Sequence, residues 1–411
     1  MAIKRPIPVS TGVRRLCEAV RAAGGRALVV GGTVRDAVLG RAASDIDLEV
    51  HGLERAHLHA LLQEWGPVSE VGRSFGVWKL RVEGRELDVA MPRAVEGGEG
   101  APHIGVAAAA RRRDLTINAM AWDPLQAVLV DPLGGVVDCQ DQRLRAADPM
   151  RFGDDPLRAW RVARFASTLG FTPDARLVEI ARGLDVASLP PERVRAELAK
   201  LLLGDGSPAL GWQVAVEVGV ATSWLPAVGL DACLALERAA ERRARVGRHP
   251  RALALMLTVL LGRVGEAAAA AVLDGLGITR LGRYPLRDQV LAGVGMAEVL
   301  SQPVDDTVLR KLAERSEVGL CCHAAAALHP RGAADDNALQ ATMLGVLDAP
   351  LPPLLRGSDL LALGVPMGPQ LGMLLASVRD AQLAGDVSDP GDAKALAGRL
   401  WSQRPGDSRD G

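Results

Sequence analysis

The segment ALVVGGTVRDAVLGRAASDIDLEV, residues 27–50, constrains the fold most strongly, because four structural elements follow one another in it without spare residues. The apolar run 27–30 predicts a buried strand, and the run 45–50 predicts a second one. A helical pattern from Thr33 to Leu39 lies between them. The segment therefore predicts a strand, a glycine turn, a helix and a strand at the start of an α/β region.

The glycine pair at the first turn suggests a phosphate site. Gly31 and Gly32 directly follow the strand, and glycine lets backbone amides approach a phosphate closely at the start of a helix. Thr33 is expected to cap this helix, and Arg35 in its first turn to add a forked donor to the same phosphates. An ordinary strand–turn–helix is the alternative for this turn taken alone.

Two carboxylates on the second strand suggest a metal site. Asp45 and Asp47 alternate with Ile46 and Leu48, so both acids are expected on one face of the strand, with the apolar side chains toward the core. Paired carboxylates repel unless a cation lies between them, and hard oxygen ligands suit Mg²⁺. Asp88, on another β-type run, is the candidate for a third carboxylate. A two-metal site of this kind supports in-line phosphoryl transfer.

Two later stretches carry further polar groups. In RRRDLTINAMAWD, residues 111–123, Arg113 can contact a triphosphate, while Asp114 and Asn118 can bond a ribose hydroxyl. In FGDDPLRAWRVARFA, residues 152–166, a helix is expected to begin with two acids in its first turn. At 100° per residue its polar side chains span an arc of about 120° and can read the edge of a base; an exposed salt-bridged helix is the alternative. These side chains are Asp154, Asp155, Arg158 and Arg161.

The β signal is confined to the first part of the chain. Further β-type runs occupy 76–82, 85–91 and 127–132, whereas long Ala/Leu/Arg segments at helical spacing follow from about Pro156. The predicted fold class is therefore α+β, with a small mixed β-sheet and helices first and an all-α remainder. The Gly/Ala-rich segment 92–110 is interpreted as a mobile loop.

Composition limits the setting. No apolar run is long enough to cross a bilayer, the N-terminus lacks the apolar segment of a signal peptide, and the five cysteines have no zinc spacing. A cytoplasmic location and no membrane partner are expected. The net charge is only −1, so binding of a polyanion must depend on local arginine clusters such as that in 237–251, for which a solvated helix face is the alternative.

These motifs, taken together, resemble the class II tRNA nucleotidyltransferase/poly(A) polymerase family of the DNA polymerase beta superfamily. The family motif GGxVRDxLLG with DxD stands here as GGTVRDAVLG and SDIDLEV; RRDxTINA stands as RRDLTINA; and EDPLRxxRxxRFA stands as DDPLRAWRVARFA. PPERVRAELAKLL, residues 190–202, and the segment 354–387 also resemble the family.

The resemblance implies the residue roles and the substrates. Asp45, Asp47 and Asp88 would hold Mg²⁺, and Asp155 with Arg158 would select CTP and then ATP as a protein template. Gly32, Arg35, Arg113 and Arg161 would hold the nucleotide, and tRNA would be the acceptor. The implied layout is a nucleotidyltransferase head at 1–140, a neck at 141–205, a body at 206–300 and a tRNA-binding tail at 301–411.

Departures from the family pattern leave the product open. Asp154 stands where the family usually has Glu, and GVAAAARRRD lacks the acidic approach common before RRD. The leading hypothesis is CCA addition to tRNA, with a partial CC- or A-adding enzyme and a bacterial poly(A) polymerase as alternatives. A catalytically silent RNA-binding protein is the alternative from a different class. The oligomeric state is left open.

Overall fold

The computed structural model describes residues 3–42, 46–71, 77–93, 100–247 and 249–403. The chain divides into two compact units, Met1–Pro226 and Ala227–Gly411. Among the described residues every strand lies in the first unit, and helices make up most of the second. The α+β fold class is therefore confirmed. The division into head, neck, body and tail remains a prediction.

The first unit alternates strands and helices before it becomes helical. Its strands, among the described residues, are β1 (Arg26–Val30), β2 (Asp47–His51), β3 (Ser69–Val71), β4 (Val77–Val82), β5 (Arg85–Ala90), β6 (Ala121–Asp123), β7 (Val128–Val130), β8 (Arg143–Leu144) and β9 (Thr172–Pro173). Its helices are α1 (Thr11–Ala22), α2 (Gly32–Leu39), α3 (Arg55–Gln63), α4 (Val106–Ala110), α5 (Gly135–Gln140), α6 (Leu157–Leu169), α7 (Ala175–Arg182), α8 (Pro191–Leu203), α9 (Pro208–Glu217) and α10 (Val220–Trp224).

Seven of these strands form one mixed sheet in the order β3-β4-β5-β2-β1-β6-β7. The pair β2–β5 is parallel, and the other neighbours are antiparallel. β8 and β9 form a separate two-stranded pair. The small mixed sheet that the sequence predicts is therefore present, with β2 near its centre.

A two-residue hairpin fixes the register of β5. Glu83 and Gly84 connect β4 to β5, and both have positive φ, 51° and 78°. Two central residues with positive φ are the signature of a type I′ turn, whose twist matches that of the flanking strands. Glycine adopts this conformation readily, so the sequence EG at this point sets which residues of β5 face each side of the sheet.

Apolar side chains of the strands form the core of the first unit. Leu28, Leu48 and Trp78 are fully buried, as expected from the apolar runs that predicted β1, β2 and β4. Leu28 also packs in a buried cluster with Ala121 of β6 and the half-buried Val106 of α4. Burial of this apolar surface is the main force that holds the sheet against its helices.

Two features of the sheet region differ from the sequence prediction. β3 and β6 have three residues each, too few for an alternating pattern to identify them. The interpretation of 92–110 as one mobile loop is wrong for its last part, because Val106–Ala110 form α4. The alanines that made this segment look loop-like are strong helix formers. Residues 94–99 of the segment lie outside the described residues.

The second unit is built from helices, and two buried clusters among its described residues hold parts of it together. Its helices, among the residues described, are α11 (Cys233–Val246), α12 (Arg251–Leu261), α13 (Glu266–Gly275), α14 (Leu286–Leu300), α15 (Asp306–Ala313), α16 (Val318–Leu328), α17 (Ala334–Met343), α18 (Gly357–Ala362), α19 (Pro369–Ala384) and α20 (Pro390–Ser402). One cluster centres on α16, with Cys321 and Cys322, and the other joins α18, α19 and α20. All five cysteines of the chain are free thiols.

Part of the arginine-rich segment 237–251 is used inside this unit. Arg242 donates to both carboxylate oxygens of Asp335, at 2.6 and 2.8 Å, and Arg238 donates to the carbonyl of Ala327 at 2.6 Å. These two guanidinium groups therefore tie α11 to α16 and α17. None of the helices in the described part of the chain is long and apolar enough to span a bilayer.

A buried carboxylate fastens the segment after β7 to the sheet region. Asp138 of α5 is fully buried and accepts hydrogen bonds from Thr116 Oγ1 at 2.5 Å, Arg143 Nε at 3.1 Å and Arg145 Nε at 2.9 Å. The helix α5, the turn at Thr116–Asn118 and the segment of β8 therefore meet at this one side chain. Because a buried charge is stable only when it is paired, the three donors and the acid depend on one another.

We expect Asp138→Asn to lower the free energy of unfolding by about 3 kcal/mol, because a neutral amide would replace the buried charge, Arg145 would lose this carboxylate partner, and Arg143 would keep only the exposed Asp141. Asp141→Asn is the matched control: Asp141 accepts from the same Arg143 at 2.9 Å but is exposed. Its cost should be less than about 1 kcal/mol. Urea unfolding followed by tryptophan fluorescence measures both, and equal costs would contradict this account.

Candidate active site

A cavity of about 380 Å³ in the first unit brings together most of the residues that the sequence analysis singled out. Its lining consists of Gly31, Gly32, Arg35, Asp47, Arg112, Arg113, Asp114, Asn118, Asp155, Arg158, Arg161, Arg164 and Phe165. Ten of these thirteen were predicted; Arg112, Arg164 and Phe165 were not. Asp88 and Asp154 lie outside this lining, and Asp45 falls outside the described residues.

The glycine pair forms the start of α2. Gly31 is the N-cap residue, with φ of 75°, and a Cβ added there would lie 3.7 Å from Asp47 Oδ2. The positive φ requires glycine, and the glycine leaves the turn next to the Asp47 carboxylate without a side chain. The prediction that Thr33 caps α2 is wrong. The helix begins one residue earlier than expected because Gly31 takes the cap position, and Thr33 is buried.

Asp47 and Asp88 are neighbours across the sheet. Asp47 begins β2, opposite Val30 of β1 and in register with Asp88 of the parallel strand β5. In-register residues of paired strands project from the same face, so the two carboxylates lie side by side, about 5 Å apart at the backbone. Lys79 Nζ is 3.2 Å from Asp88 Oδ1. The carboxylates of Glu86 and Asp88 raise the pKa of Lys79.

Only part of the predicted metal site can be described. Within the described residues no group of three or more His, Cys, Asp or Glu side chains is arranged to hold a metal ion. Asp45, two residues before Asp47 and the other acid predicted for this strand, lies outside them, between residues 42 and 46. Asp47 and Asp88 supply two oxygen donors of the kind that Mg²⁺ prefers, and repulsion between two adjacent carboxylates favours a cation there. The residues present therefore fit a divalent cation.

Glu49 continues the face of β2 that carries Asp47, and the structure gives it a defined set of partners. It is buried, accepts from Arg113 Nη2 at 2.6 Å, and its second oxygen lies 3.1 Å from His51 Nε2. Burial opposes ionisation, but the Arg113 guanidinium and His51 lower the pKa of Glu49 to about 2. The sequence indicates the orientation of Glu49, because Glu49 lies two residues after Asp47 on the same strand. Nothing in the sequence indicates its contact with Arg113.

Asp114 is the centre of a hydrogen-bond network that joins three elements. Its Oδ1 accepts from Asn118 Nδ2 at 3.0 Å, and its Oδ2 accepts from Arg161 Nε at 2.8 Å. Asn118 Oδ1 in turn accepts from Arg35 Nη1 at 2.8 Å. The helix α2, the turn at Thr116–Asn118 and the helix α6 are therefore linked through one carboxylate.

The charges in this network stabilise one another. Burial would raise the pKa of Asp114, but Arg161, the Asn118 amide and the Leu115 backbone N–H lower it below its ordinary value. Asp114 in turn raises the pKa of Arg161 against the opposing effect of burial. Both groups are held in their charged forms, and Asn118 bonds protein groups through both ends of its amide.

The helix that carries the arginines begins later than expected. Residues Phe152–Asp154 form a 3₁₀ turn, Asp155 is extended with φ −135° and ψ 106°, and α6 starts at Leu157 after Pro156. The prediction that Asp154 and Asp155 occupy the first turn of this helix is wrong. A proline disfavours the α conformation of the residue before it, which forces Asp155 out of the helix.

Asp154 and Asp155 consequently occupy different surroundings. Asp154 Oδ2 lies 3.7 Å from Arg112 Nη1. Asp155 Oδ1 accepts from the backbone N–H of Leu157 at 3.1 Å, and its Oδ2 accepts from Arg193 Nη2 of α8 at 2.8 Å. Asp155 lines the cavity and is held there from two sides.

The three arginines of α6 differ in how they are held. Arg158 is buried and donates to the backbone carbonyls of Arg151 and Arg112, both at 2.8 Å. Arg161 is paired with Asp114. Arg164 lies 2.7 Å from Glu197 Oε2 and stacks over the Phe165 ring at 4.0 Å, and burial lowers its pKa although Glu197 opposes this.

Phe165 was not singled out in the sequence because an aromatic residue at helical spacing usually belongs to the core. Its ring receives Arg164 at 4.0 Å and Arg35 at 5.2 Å. Guanidinium groups stack on aromatic faces, so this ring spaces two arginines along the cavity wall. The three-residue recurrence of arginine on α6 was visible in the sequence and was the signal for Arg164.

The cavity is strongly basic. Six arginines and three aspartates line it, together with the turn at Gly31 and Gly32. Guanidinium groups in fixed positions bind phosphate oxygens through forked donors, and the start of α2 favours a negative charge. The arrangement is suited to an anionic ligand with several phosphates, with Asp47 at one edge and Asp88 next to it, outside the lining, for a cation.

Comparisons with known proteins agree with this geometry. Residues 27–145 match the family model described as the poly A polymerase head domain. A curated relative, the multifunctional CCA protein of Xylella fastidiosa (strain M23), is 36% identical over 191 residues, which are 43% of this chain and 44% of the relative. The multifunctional CCA protein of Xanthomonas campestris pv. campestris (strain B100) is 34% identical over 52% of this chain and 53% of the relative. The chain thus spans about half the length of the curated relatives it matches.

Two solved structures resemble almost the whole chain. The Bacillus stearothermophilus CCA-adding enzyme in complex with CTP has a TM-score of 0.73 at 22% identity, over 96% of this chain and 98% of that one. The Thermotoga maritima CCA-adding enzyme complexed with tRNA has a TM-score of 0.69 at 22% identity, over 94% of each chain. The resemblance is thereby confirmed for residues 27–145, which match the poly A polymerase head domain, and almost the whole chain has the fold of the CCA-adding enzymes.

Proposed function

We propose that this chain is a template-independent tRNA nucleotidyltransferase that adds C, A or both to the 3′ end of tRNA and so synthesises all or part of its CCA end. The observation that carries the proposal is the edge of the cavity where Asp47 faces the Gly31 turn and is in register with Asp88. Nucleotidyl transfer requires carboxylates that can hold a cation beside a basic cavity that can hold several phosphates.

The nucleotide would lie along the arginine-lined wall. Arg35 and Arg113, which reach the cavity from α2 and from the residues after α4, would bind the triphosphate together with the backbone of Gly32. Asp114 and Asn118 support this wall through their mutual hydrogen bond and the pairing with Arg161. Their roles near the ribose are part of the proposal.

The reaction is transfer of a nucleotidyl group to a hydroxyl. The 3′-oxygen of the tRNA attacks the α-phosphorus of CTP or ATP, a new P–O bond forms, and the bond to the β-phosphate breaks to release pyrophosphate. Mg²⁺, when bound, would neutralise the phosphates and favour the ionised hydroxyl. The carboxylates of Asp45, Asp47 and Asp88 would hold this ion, and the arginines would orient the departing phosphates.

Selection of the base is assigned to the start of α6. Asp155 presents acceptors to the cavity and is fixed by Arg193, while Arg158 is fixed by two backbone carbonyls. A rigid pair of acceptor and donor can read the edge of C or A without a nucleic-acid template. We assign Asp154, one methylene shorter than the usual Glu, to a supporting position beside Arg112.

The setting follows from the substrates. tRNA, CTP and ATP are the proposed partners, and the cytoplasm is the proposed location. The alternative function is RNA binding without catalysis on the same fold, and such a protein would not need two adjacent carboxylates beside a phosphate-binding turn. Adjacent acids weaken the binding of a polyanion, so their presence favours catalysis.

The deciding experiment supplies tRNA that lacks its CCA end, with Mg²⁺ and CTP, ATP or both, and sizes the products at single-nucleotide resolution. We expect extension by CC with CTP alone and by CCA with both nucleotides. Products that stop at CC when both are present would identify a partial enzyme, and a long A tail would identify a poly(A) polymerase. A tRNA that ends in CC is supplied in parallel, because an enzyme that adds only A needs that end. No extension of either tRNA would favour the silent RNA-binding protein and overturn the proposal.

A second prediction tests the carboxylate pair. Asp47→Asn and Asp88→Asn should each lower the rate of incorporation at least about a hundredfold, because each removes a charge from the proposed cation site, while tRNA affinity changes little. Glu86→Gln is the matched control. Glu86 is exposed, and its Oε1 lies 2.7 Å from Nζ of Lys79, the same lysine that contacts Asp88. Single-turnover rates and tRNA binding by filter retention give the two readouts. If Asp47→Asn incorporated nucleotides as fast as the unmodified chain, Asp47 would not be a ligand of the proposed cation.

A further inference from the structure

Glu49 is a buried acid that lies behind the cavity: it is not part of the lining, but it contacts Arg113, which is. Glu49 lies on the same face of β2 as Asp47, two residues further along, which is about 7 Å. One of its oxygens accepts from Arg113 Nη2 at 2.6 Å, and the other lies 3.1 Å from His51 Nε2. Glu49 itself is 8% exposed.

These contacts tie both ends of α4 to β2. Arg113 follows α4 by three residues, and Ile104 precedes it by two. The other ring nitrogen of His51, Nδ1, lies 3.2 Å from the carbonyl oxygen of Ile104. The segment that delivers Arg113 to the cavity is therefore held at its start and at its end by two neighbouring side chains of one strand.

We propose that Glu49 is a positioning residue for the nucleotide: it holds the Arg113 guanidinium at a fixed distance from Asp47, so that the two groups meet one triphosphate together. This inference rests on the proposed nucleotidyltransferase function. Glu49 is not a further ligand of the cation, because both of its oxygens are already engaged by protein donors. It acts on the nucleotide only through Arg113.

The physical reason is preorganisation. An arginine side chain loses rotamer entropy when it is fixed, and Glu49 fixes Arg113 before the nucleotide arrives. Arg113 keeps a third of its side-chain surface exposed, at 33%, so it can still donate to a phosphate while it bonds Glu49. The Glu49 side chain is only 10% exposed, so its contact with Arg113 is shielded from solvent.

The distinguishing readout is which kinetic constant changes. CTP and ATP share the triphosphate that Arg113 would contact, so loss of the Glu49 contact should raise KM for both nucleotides by the same factor. The KM for tRNA and kcat should stay nearly the same. A merely structural Glu49 would instead lower the stability and the active fraction, and would leave the KM of the remaining active enzyme unchanged.

The experiment compares Glu49→Gln, Arg113→Ala and the double variant with the unmodified full-length chain. We expect KM for CTP and for ATP to rise about tenfold in Glu49→Gln, the usual value of a charge-assisted hydrogen bond. If Glu49 acts through Arg113, the double variant should have the KM of Arg113→Ala alone. An unchanged KM in Glu49→Gln, or effects that add in the double variant, would overturn the inference.

Asp123→Asn is the matched control. Asp123 is a buried acid of the same sheet that pairs with Arg26 at 3.0 Å and does not line the cavity. It should leave both nucleotide KM values unchanged. Because Glu49→Gln can fail to fold, Glu49→Asp provides a second test: it keeps the charge but is one methylene shorter, and we expect a smaller rise of KM, with no rise counting against the inference.

Equilibrium binding separates this inference from the proposed function. Binding of ATP, measured by isothermal titration calorimetry without tRNA, should weaken about tenfold in Glu49→Gln whether or not transfer occurs. If the unmodified chain binds ATP but does not extend tRNA, the proposed function fails while the positioning role is still tested. If Glu49→Gln binds ATP as tightly as the unmodified chain, the positioning role fails alone.

Discussion

The buried carboxylate of Asp114 is the interaction on which the cavity depends. It receives Arg161 from α6 and Asn118 from the turn that follows, and through Asn118 it reaches Arg35 of α2. Arg35 of α2 and the arginines of α6 line the same cavity and would otherwise repel one another. One negative charge enclosed between them offsets that repulsion and fixes the orientation of three polar side chains at once.

The same logic recurs around the cavity wall. Arg113 has Glu49, Arg164 has Glu197, and Arg158 has two backbone carbonyls. Each guanidinium is held by an acceptor behind it, so the wall is rigid before any ligand arrives. Fixed donors in a partly dry site bind phosphate more strongly than mobile donors in water, because little reorganisation is needed.

The sequence foretold the parts of the fold that depend on local pattern. The apolar run before Gly31 predicted β1, and the alternation around Asp47 predicted β2; the position of Asp45 on the same face stays a prediction. The parts it missed depend on contacts between distant segments. β6, with three residues, exists because it pairs with β1, and the partnership of Glu49 with Arg113 joins residues that are far apart in the chain. The late start of α6 could have been predicted from Pro156, which disfavours a helical conformation at Asp155. The sequence prediction instead followed the helical periodicity of the segment.

The two-residue connection between β4 and β5 has a consequence for how this region can vary in length. Side chains of a strand alternate between the two faces, so a shift of β5 by one residue along β4 would turn Asp88 to the far side of the sheet, away from Asp47. A residue inserted at Glu83–Gly84 preserves the acidic pair only if the loop holds it and the pairing of β4 with β5 stays unchanged. Changes of length at this hairpin are therefore limited to those that a longer turn can accommodate.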